Sequence, residues 1–328
     1  MPFGAIKIID TEICSAKLKA EHPELFHYTG RGGFEPIVTN NTLWATHFRH
    51  LNDDAEISTL RPQLQQTMAQ VLQREVKKQN TGIRNQYYHA GGAAPMARDF
   101  VASLYASTFE RGDADFAIDA YTTSFSTHAA DTPYERENGL ESQWRCYATD
   151  GFCLVFDTDK LGDLLGKEFD KLDFTHLNLE DVRYLRDGTR LPDYFDFIEP
   201  TLQVVAEQVF KRFEKQEMGT VEFLRCATLL KRASFREERE VRIVAIPGAP
   251  GWQEQAAREH PNQFVKKPIA VIDEEPKRHI TLFAGAGIKL PIKRVIVGPS
   301  ERQAENAEFA RSIVDCKVAL SRPRETAI

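Results

Sequence analysis

The chain has 328 residues, 42% hydrophobic and 27% charged, with a net charge of −6 and no basic block. That is an ordinary globular balance, long enough for one large domain or two modest ones, and it argues against nucleic-acid binding through a broad basic surface. No apolar run reaches the roughly eighteen residues of a spanning helix and "MPFGAIKIID" lacks a secretory pattern, while five scattered cysteines in no metal-ligand spacing read as free thiols in a reducing cytoplasm.

The first unit, "LFHYTGRGGFEPIVTNNTLWATHFRHLNDDAEI", reads as strand, glycine-rich turn, short helix around Phe34 to Val38, and strand. Asn52 or Asp53 in "LNDDAEI" suits a helix cap before Glu56. From Leu60 to Lys78, apolar positions Leu64, Met68, Val71 and Leu72 keep helical spacing. A second helix runs from Pro95, suited to a first turn, to Arg111, with Met96, Phe100 and Leu104 on its apolar face. "AYTTSFST" and "GFCLVFD" read as strands around a polar loop. Helical stretches follow at Ile198 to Phe213 and about Val221 to Leu230, then strands at "VRIVAI", "PIAVID", "HITLFA" and "KRVIVG". A helix from about Gln303 to Val314 and a strand-like "KVAL" close the chain. "RDGTRLPDYFD" and "PGAPGWQEQAAREHPNQF" read as irregular loops. The expected fold is one α+β domain over residues 1–328: a mixed, mainly antiparallel sheet with helical insertions around 58–111 and 198–232.

Three clusters carry candidate chemistry. In "SFREEREVRIVAIPG", strand alternation puts Glu238, Glu240 and Arg242 on one face and Val241, Ile243 and Ala245 on the other. Neighbouring carboxylates repel, so one has a raised pKa unless Arg242 or another cation offsets this. The commoner reading of such a charge run is a strand end in solvent. In "FHYTGRGG", His27, Tyr28 and Thr29 end an apolar strand before a turn whose backbone N–H groups can approach an anion; a hydrogen-bonded structural His–Tyr pair is the commoner case. In "TTSFST…ESQWRCYATDG", Ser124 and Ser126 share a strand face, and Trp144 and Tyr147 suit one helical face. Those aromatics form either a stacking wall for a flat ring or a core edge. Dinucleotide-fold, P-loop and nucleophile-elbow motifs are absent, which removes common dehydrogenase, ATPase and serine hydrolase readings.

The successive blocks "LFHYT…TLWAT…LNDDAE", "SFS…W…Y…G…CLVF", "K…F…EEREVRI" and "IKRVIVGP" resemble a large bacterial family built on a domain of unknown function. More distantly, they resemble the ADP-ribosyltransferase superfamily. "LFHYT" is similar to its opening motif, "SFST" to its Ser-Thr-Ser motif and "EREV" to its Glu-x-Glu motif. The resemblance implies an ADP-ribosyltransferase-like fold, with Glu240 catalytic and Glu238 on the acceptor side. It implies NAD as substrate, with Ser124 or Ser126 holding the catalytic carboxylate and His27 bonding a nucleotide ribose. Tyr28, Thr29, Trp144 and Tyr147 would complete the cofactor site, with Tyr28, Trp144 or Tyr147 stacking on nicotinamide. Arg31, Lys231 and Arg232 would pair with pyrophosphate, and Arg242 would limit the repulsion between the two glutamates.

Cleaving the nicotinamide–ribose bond passes through an oxocarbenium-like state, which a carboxylate stabilises without a metal. The expectation is therefore an NAD-consuming transferase or glycohydrolase of a bacterial cytoplasm, a toxin or defence effector by analogy alone. Its acceptor is protein, nucleic acid, small molecule or water, and no membrane is involved. The alternative is a non-catalytic nucleotide-binding or sensor protein of the same fold. Glu240→Gln is expected to leave folding nearly intact, because a charge at a strand mouth contributes little to a core.

Overall fold

The computed structural model describes residues 12–322 apart from 51–54, 110–117, 129–131, 213–219, most of 250–265, 274–276, 286 and 288. The cap expected within "LNDDAEI" and most of the second irregular loop lie outside the described residues.

Twelve strands are described: β1 Glu24–Thr29, β2 Leu43–His47, β3 Tyr121–Ser126, β4 Phe152–Asp157, β5 Phe174–Asp181 and β6 Arg183–Tyr184, then β7 Leu230–Lys231, β8 Glu240–Pro247, β9 Val271–Ile272, β10 His279–Leu282, β11 Ile292–Val297 and β12 Lys317–Leu320. Ten of them form one sheet in which β12 pairs β11 in parallel and every other pairing is antiparallel; β6 and β7 make a small parallel pair. The molecule is thus a mixed α+β protein with a mainly antiparallel, open sheet.

The sheet forks at β3. Strand β8 pairs with β3 along its whole length, from Tyr121↔Ala245 to Ser126↔Glu240. One edge of β3 is therefore fully occupied, and its other two neighbours must share the opposite edge. At one end Phe26 of β1 faces Ser126; at the other Thr46 and His47 of β2 face Thr122 and Tyr121. Strands β1 and β2 diverge between these contacts, and side chains bridge the gap. His27 Nδ1 lies 2.9 Å from the Ser124 carbonyl oxygen, and Thr123 Oγ1 donates to the Trp44 carbonyl at 2.8 Å.

Strand alternation divides the apolar residues between the two faces. One face carries Leu25, Ala45, Phe125, Val241 and Ile243 into the main core, covered by the helices Arg31–Asn40, Thr158–Lys171 and Gln303–Ile313. On the other face, Val244 and Ile246 pack against the helices Ala55–Glu75, Ala93–Phe109, Ile198–Arg212 and Thr220–Leu229. A smaller apolar group on that second face joins Phe26 and Tyr28 to Trp144, Cys153 and Ile296. The fork lies between these two second-face groups.

Several elements were unmarked in the sequence. The helix Thr158–Lys171 follows "GFCLVFD" directly, capped by the Asp157 carboxylate accepting from Lys160 N at 3.2 Å. Strand β5 is Leu177 and Leu179 on the core side but His176, Asn178 and Glu180 on the other, a mixed pattern that hides a buried strand. The glycine-rich turn after Tyr28 is the first turn of a ten-residue helix, with Gly30 at its N-cap.

Candidate functional site

A cleft of about 340 Å³ opens at the fork. Its floor comes from second-face positions: Trp44 and Thr46 on β2, Ser124 and Ser126 on β3, Glu240 and Arg242 on β8. His27, Tyr28 and Thr29 of β1 form one wall, joined by Tyr147. Residues from "LFHYT", "TTSFS" and "EREVRI", far apart in the chain, thus border one cavity.

The charge at "FREEREVRI" is not a solvated strand end. Strand β8 is buried from Glu240 onward, and Arg242 is 2% exposed. Arg242 Nε donates to Glu240 Oε1 at 2.7 Å and its Nη2 to Oε2 at 3.1 Å, while Nη1 donates to the Thr228 carbonyl at 2.5 Å. Glu240 and Arg242 do share a face, as the alternation requires.

Glu238 does not sit on that strand. It ends a 3₁₀ helix, Ala233–Glu238, and Arg239 follows in the left-handed region at φ 44°. This kink breaks the alternation assumed from sequence and lets both carboxylates reach one ammonium. Lys231 Nζ donates to Glu238 Oε2 at 2.7 Å and to Glu240 Oε2 at 2.8 Å. Two bonds fix the kink, since the backbone N–H and the hydroxyl of Thr127 both donate to the Arg239 carbonyl at 2.9 Å.

The two carboxylates differ as expected of a repelling pair with one offset by cations. Burial pushes Glu240 upward, but Arg242 and Lys231 outweigh it and hold it down at about 2. For Glu238, burial wins over Lys231, and its pKa is raised. Glu240 is therefore a fixed negative charge, and Glu238 the more basic carboxylate. Among the described residues the anchors of Glu240 are these cations rather than a serine hydroxyl. Ser126 is its cross-strand partner through the backbone, and Ser124 is exposed to the cleft.

His27 is held through its Nδ1 by the Ser124 carbonyl. A carbonyl only accepts, so Nδ1 carries the proton and Nε2 is left as an acceptor. Burial lowers its pKa, which keeps the ring neutral near pH 7. The Tyr28 hydroxyl, by contrast, is committed to structure. It lies 3.0 Å from His128 Nε2 and accepts from the Leu140 backbone N–H at 2.8 Å. The Tyr28 ring packs edge-on against Trp144, centroids 4.8 Å apart, so it offers no open face. Thr29 has the opposite constraint: a Cβ on Gly33 would meet its Oγ1 at 2.2 Å, so that glycine lets the helix lie against the cleft wall.

Four residue roles expected from the sequence are corrected. Trp144 is not a stacking wall: it is 5% exposed, its Nε1 donates to the Asn138 carbonyl at 2.9 Å, and it is Gln143 and Tyr147 of that helix that reach the cleft. Arg31 is turned away from the cleft, with its guanidinium over the Phe309 ring at 4.0 Å and 3.2 Å from Glu305 Oε1. Lys231 serves the carboxylates rather than an open phosphate site. Arg232 lies over the Phe235 ring at 5.5 Å.

Among the cleft residues that escaped the sequence reading are Trp44, His50 and Lys277. For Trp44 a signal existed. "LWATH" alternates Leu43, Ala45 and His47 inward against Trp44 and Thr46 outward, so its tryptophan falls on the polar face. His50 and Lys277 lie outside the sheet strands and carried no periodic signal.

A family model described as a protein of unknown function (DUF2971) matches residues 143–243. The match takes in Tyr147, Lys231, Glu238, Glu240 and Arg242 and leaves His27, Ser124 and Ser126 outside it. No curated protein and no solved structure matches the chain.

Proposed function

We propose that the cleft binds NAD and cleaves its nicotinamide–ribose bond, as an ADP-ribosyltransferase or NAD glycohydrolase does, within an ADP-ribosyltransferase-like fold. One observation carries this reading: His27, Ser124 and Glu240, from the three blocks similar to that superfamily's motifs, border a single cavity.

The chemistry follows from the charges. The bond between ribose C1′ and the nicotinamide nitrogen breaks, and its electron pair leaves with nicotinamide, whose ring becomes neutral. Positive charge then spreads over C1′ and the ring oxygen. Glu240, held ionised, is the fixed charge facing that cation. A nucleophile forms the new bond to C1′, and its proton passes to Glu238, the carboxylate whose pKa is raised. His27 Nε2 accepts from a ribose hydroxyl, and Tyr147, 37% exposed, packs on the departing ring. The acceptor is a protein, a nucleic acid, a small molecule or water.

A second reading has its own support. Lys231 and Arg242 offset the charge of Glu240, which weakens its pull on a cation, as suits a nucleotide-binding sensor without turnover. Purified protein incubated with NAD separates the two. Released nicotinamide supports the enzyme; saturable NAD binding without release supports the sensor. Neither release nor a shift in melting temperature at millimolar NAD overturns both.

A further inference from the structure

We propose that Trp44 is the platform on which the cleft stacks the base of a purine nucleotide; the proposal rests on the NAD reading and assigns its adenine end. Trp44 is 50% exposed, yet its ring is already fixed from behind. The buried His279 ring stacks on it, centroids 4.0 Å apart and 24° from parallel, and His279 Nδ1 donates to the Lys277 carbonyl at 2.9 Å. The Trp44 backbone is held from both sides, by Thr281 across β10 and by the Thr123 hydroxyl. An indole with one face packed and the other bordering a cleft loses little freedom when a flat ring lands on it.

The surroundings select the class of ring. Lys277 and His50 border the same end of the cleft, so a base carrying phosphate finds cationic or donor groups beside the platform. The spacing matches a molecule with two rings. The antiparallel register Thr46↔Thr122 and the Thr123 hydroxyl bond to the Trp44 carbonyl put Trp44 beside Ser124 on one edge of β3, whereas Glu240 faces Ser126 on the other edge. Two strand spacings across and two residues along put them roughly 12 Å apart. Tyr147 and Trp44 both line the cleft, one aromatic for each ring of a dinucleotide.

The test titrates AMP and nicotinamide mononucleotide separately into the full chain by calorimetry. Base–aromatic stacking predicts that Trp44→Leu weakens AMP about tenfold or more, whereas Trp44→Phe keeps most of the affinity. Nicotinamide mononucleotide should bind all three proteins within about twofold. Lys277→Ala should weaken AMP while sparing adenosine. Unchanged AMP affinity in Trp44→Leu overturns the proposal, as does no AMP binding by the native chain at millimolar ligand. An equal loss for both ligands also overturns it, since the substitution then disturbs the whole cleft. A chain that binds AMP on Trp44 but releases no nicotinamide from NAD loses the enzymatic reading and keeps this site.

Discussion

Glu240 and Arg242, two residues apart on one strand, form an ion pair at 2.7 Å with less than a tenth of either side chain exposed. Breaking such a pair leaves a buried charge unpaired. Glu240→Gln is therefore expected to lower stability by about 3–5 kcal/mol, read as a drop in the urea midpoint. The sequence alone suggested a nearly neutral change, because it gave no hint that β8 is buried from its first residue. Glu240→Gln with Arg242→Met should cost less than the sum of the single changes. Additive effects would show that the two residues are not coupled.

Tyr28 is a structural residue in the cleft wall. Tyr28→Phe keeps the ring packed on Trp144 but leaves the Leu140 N–H without its acceptor. An unsatisfied buried donor costs about 1–3 kcal/mol, so the variant should unfold at lower urea. NAD affinity at a temperature where it is folded should be unchanged. A stable variant with weakened NAD binding would instead make the hydroxyl a ligand contact.

The strands of this cleft were legible because short apolar or β-branched runs, "LFHYT", "TTSFS" and "VRIVAI", stand between polar loops. Their meeting at one fork was not, since register is set by backbone pairing between segments about a hundred residues apart. The carboxylate pair was visible as a motif, but its kink at Arg239 was not, because a left-handed arginine violates the local preference that sequence reasoning relies on. Trp144 shows in the sequence through its helical spacing to Tyr147, whereas Trp44 shows only as a polar-face residue of a five-residue strand. Lys277 and His50 reach the cleft through tertiary placement alone.

Acid should unfold the protein in two stages. Burial lowers the pKa of His27, and that of His128 to about 3, so the unfolded chain takes up these protons first. Each contributes stability that is present above its unfolded pKa of about 6.5 and declines as pH falls from there. Glu24 and Glu240 are each held at about 2, with burial opposing and cations prevailing: Arg294 and Lys293 for Glu24, Arg242 and Lys231 for Glu240. Their contribution is complete above the unfolded value of 4.5 and is lost as pH falls from 4.5 towards 2. Urea midpoints measured from pH 8 to pH 3 should fall below about 6.5 and more steeply below about 4.5. A midpoint that rises on acidification would contradict both sets of ion pairs and buried rings.

Glu238 separates chemistry from architecture more cleanly than Glu240. Its side chain is 17% exposed, it ends a 3₁₀ turn rather than lying in the strand, and Lys231 keeps Glu240 as a partner when Glu238 is neutralised. Glu238→Gln should therefore change stability by no more than about 1 kcal/mol, because burial already disfavours its charge and the amide oxygen can still accept from Lys231. In the proposed reaction its raised pKa suits it to accept the proton of an incoming nucleophile. Once C1′ is cationic, water adds without a strong base, whereas a larger acceptor must be deprotonated in place. The variant should release nicotinamide from NAD at close to the native rate and transfer ADP-ribose to an acceptor about a hundredfold more slowly, the scale of general-base catalysis. Nicotinamide release and acceptor labelling, followed in the same reaction, provide both readouts. Equal loss of the two would make Glu238 part of the bond-breaking step, and equal retention would remove it from the chemistry.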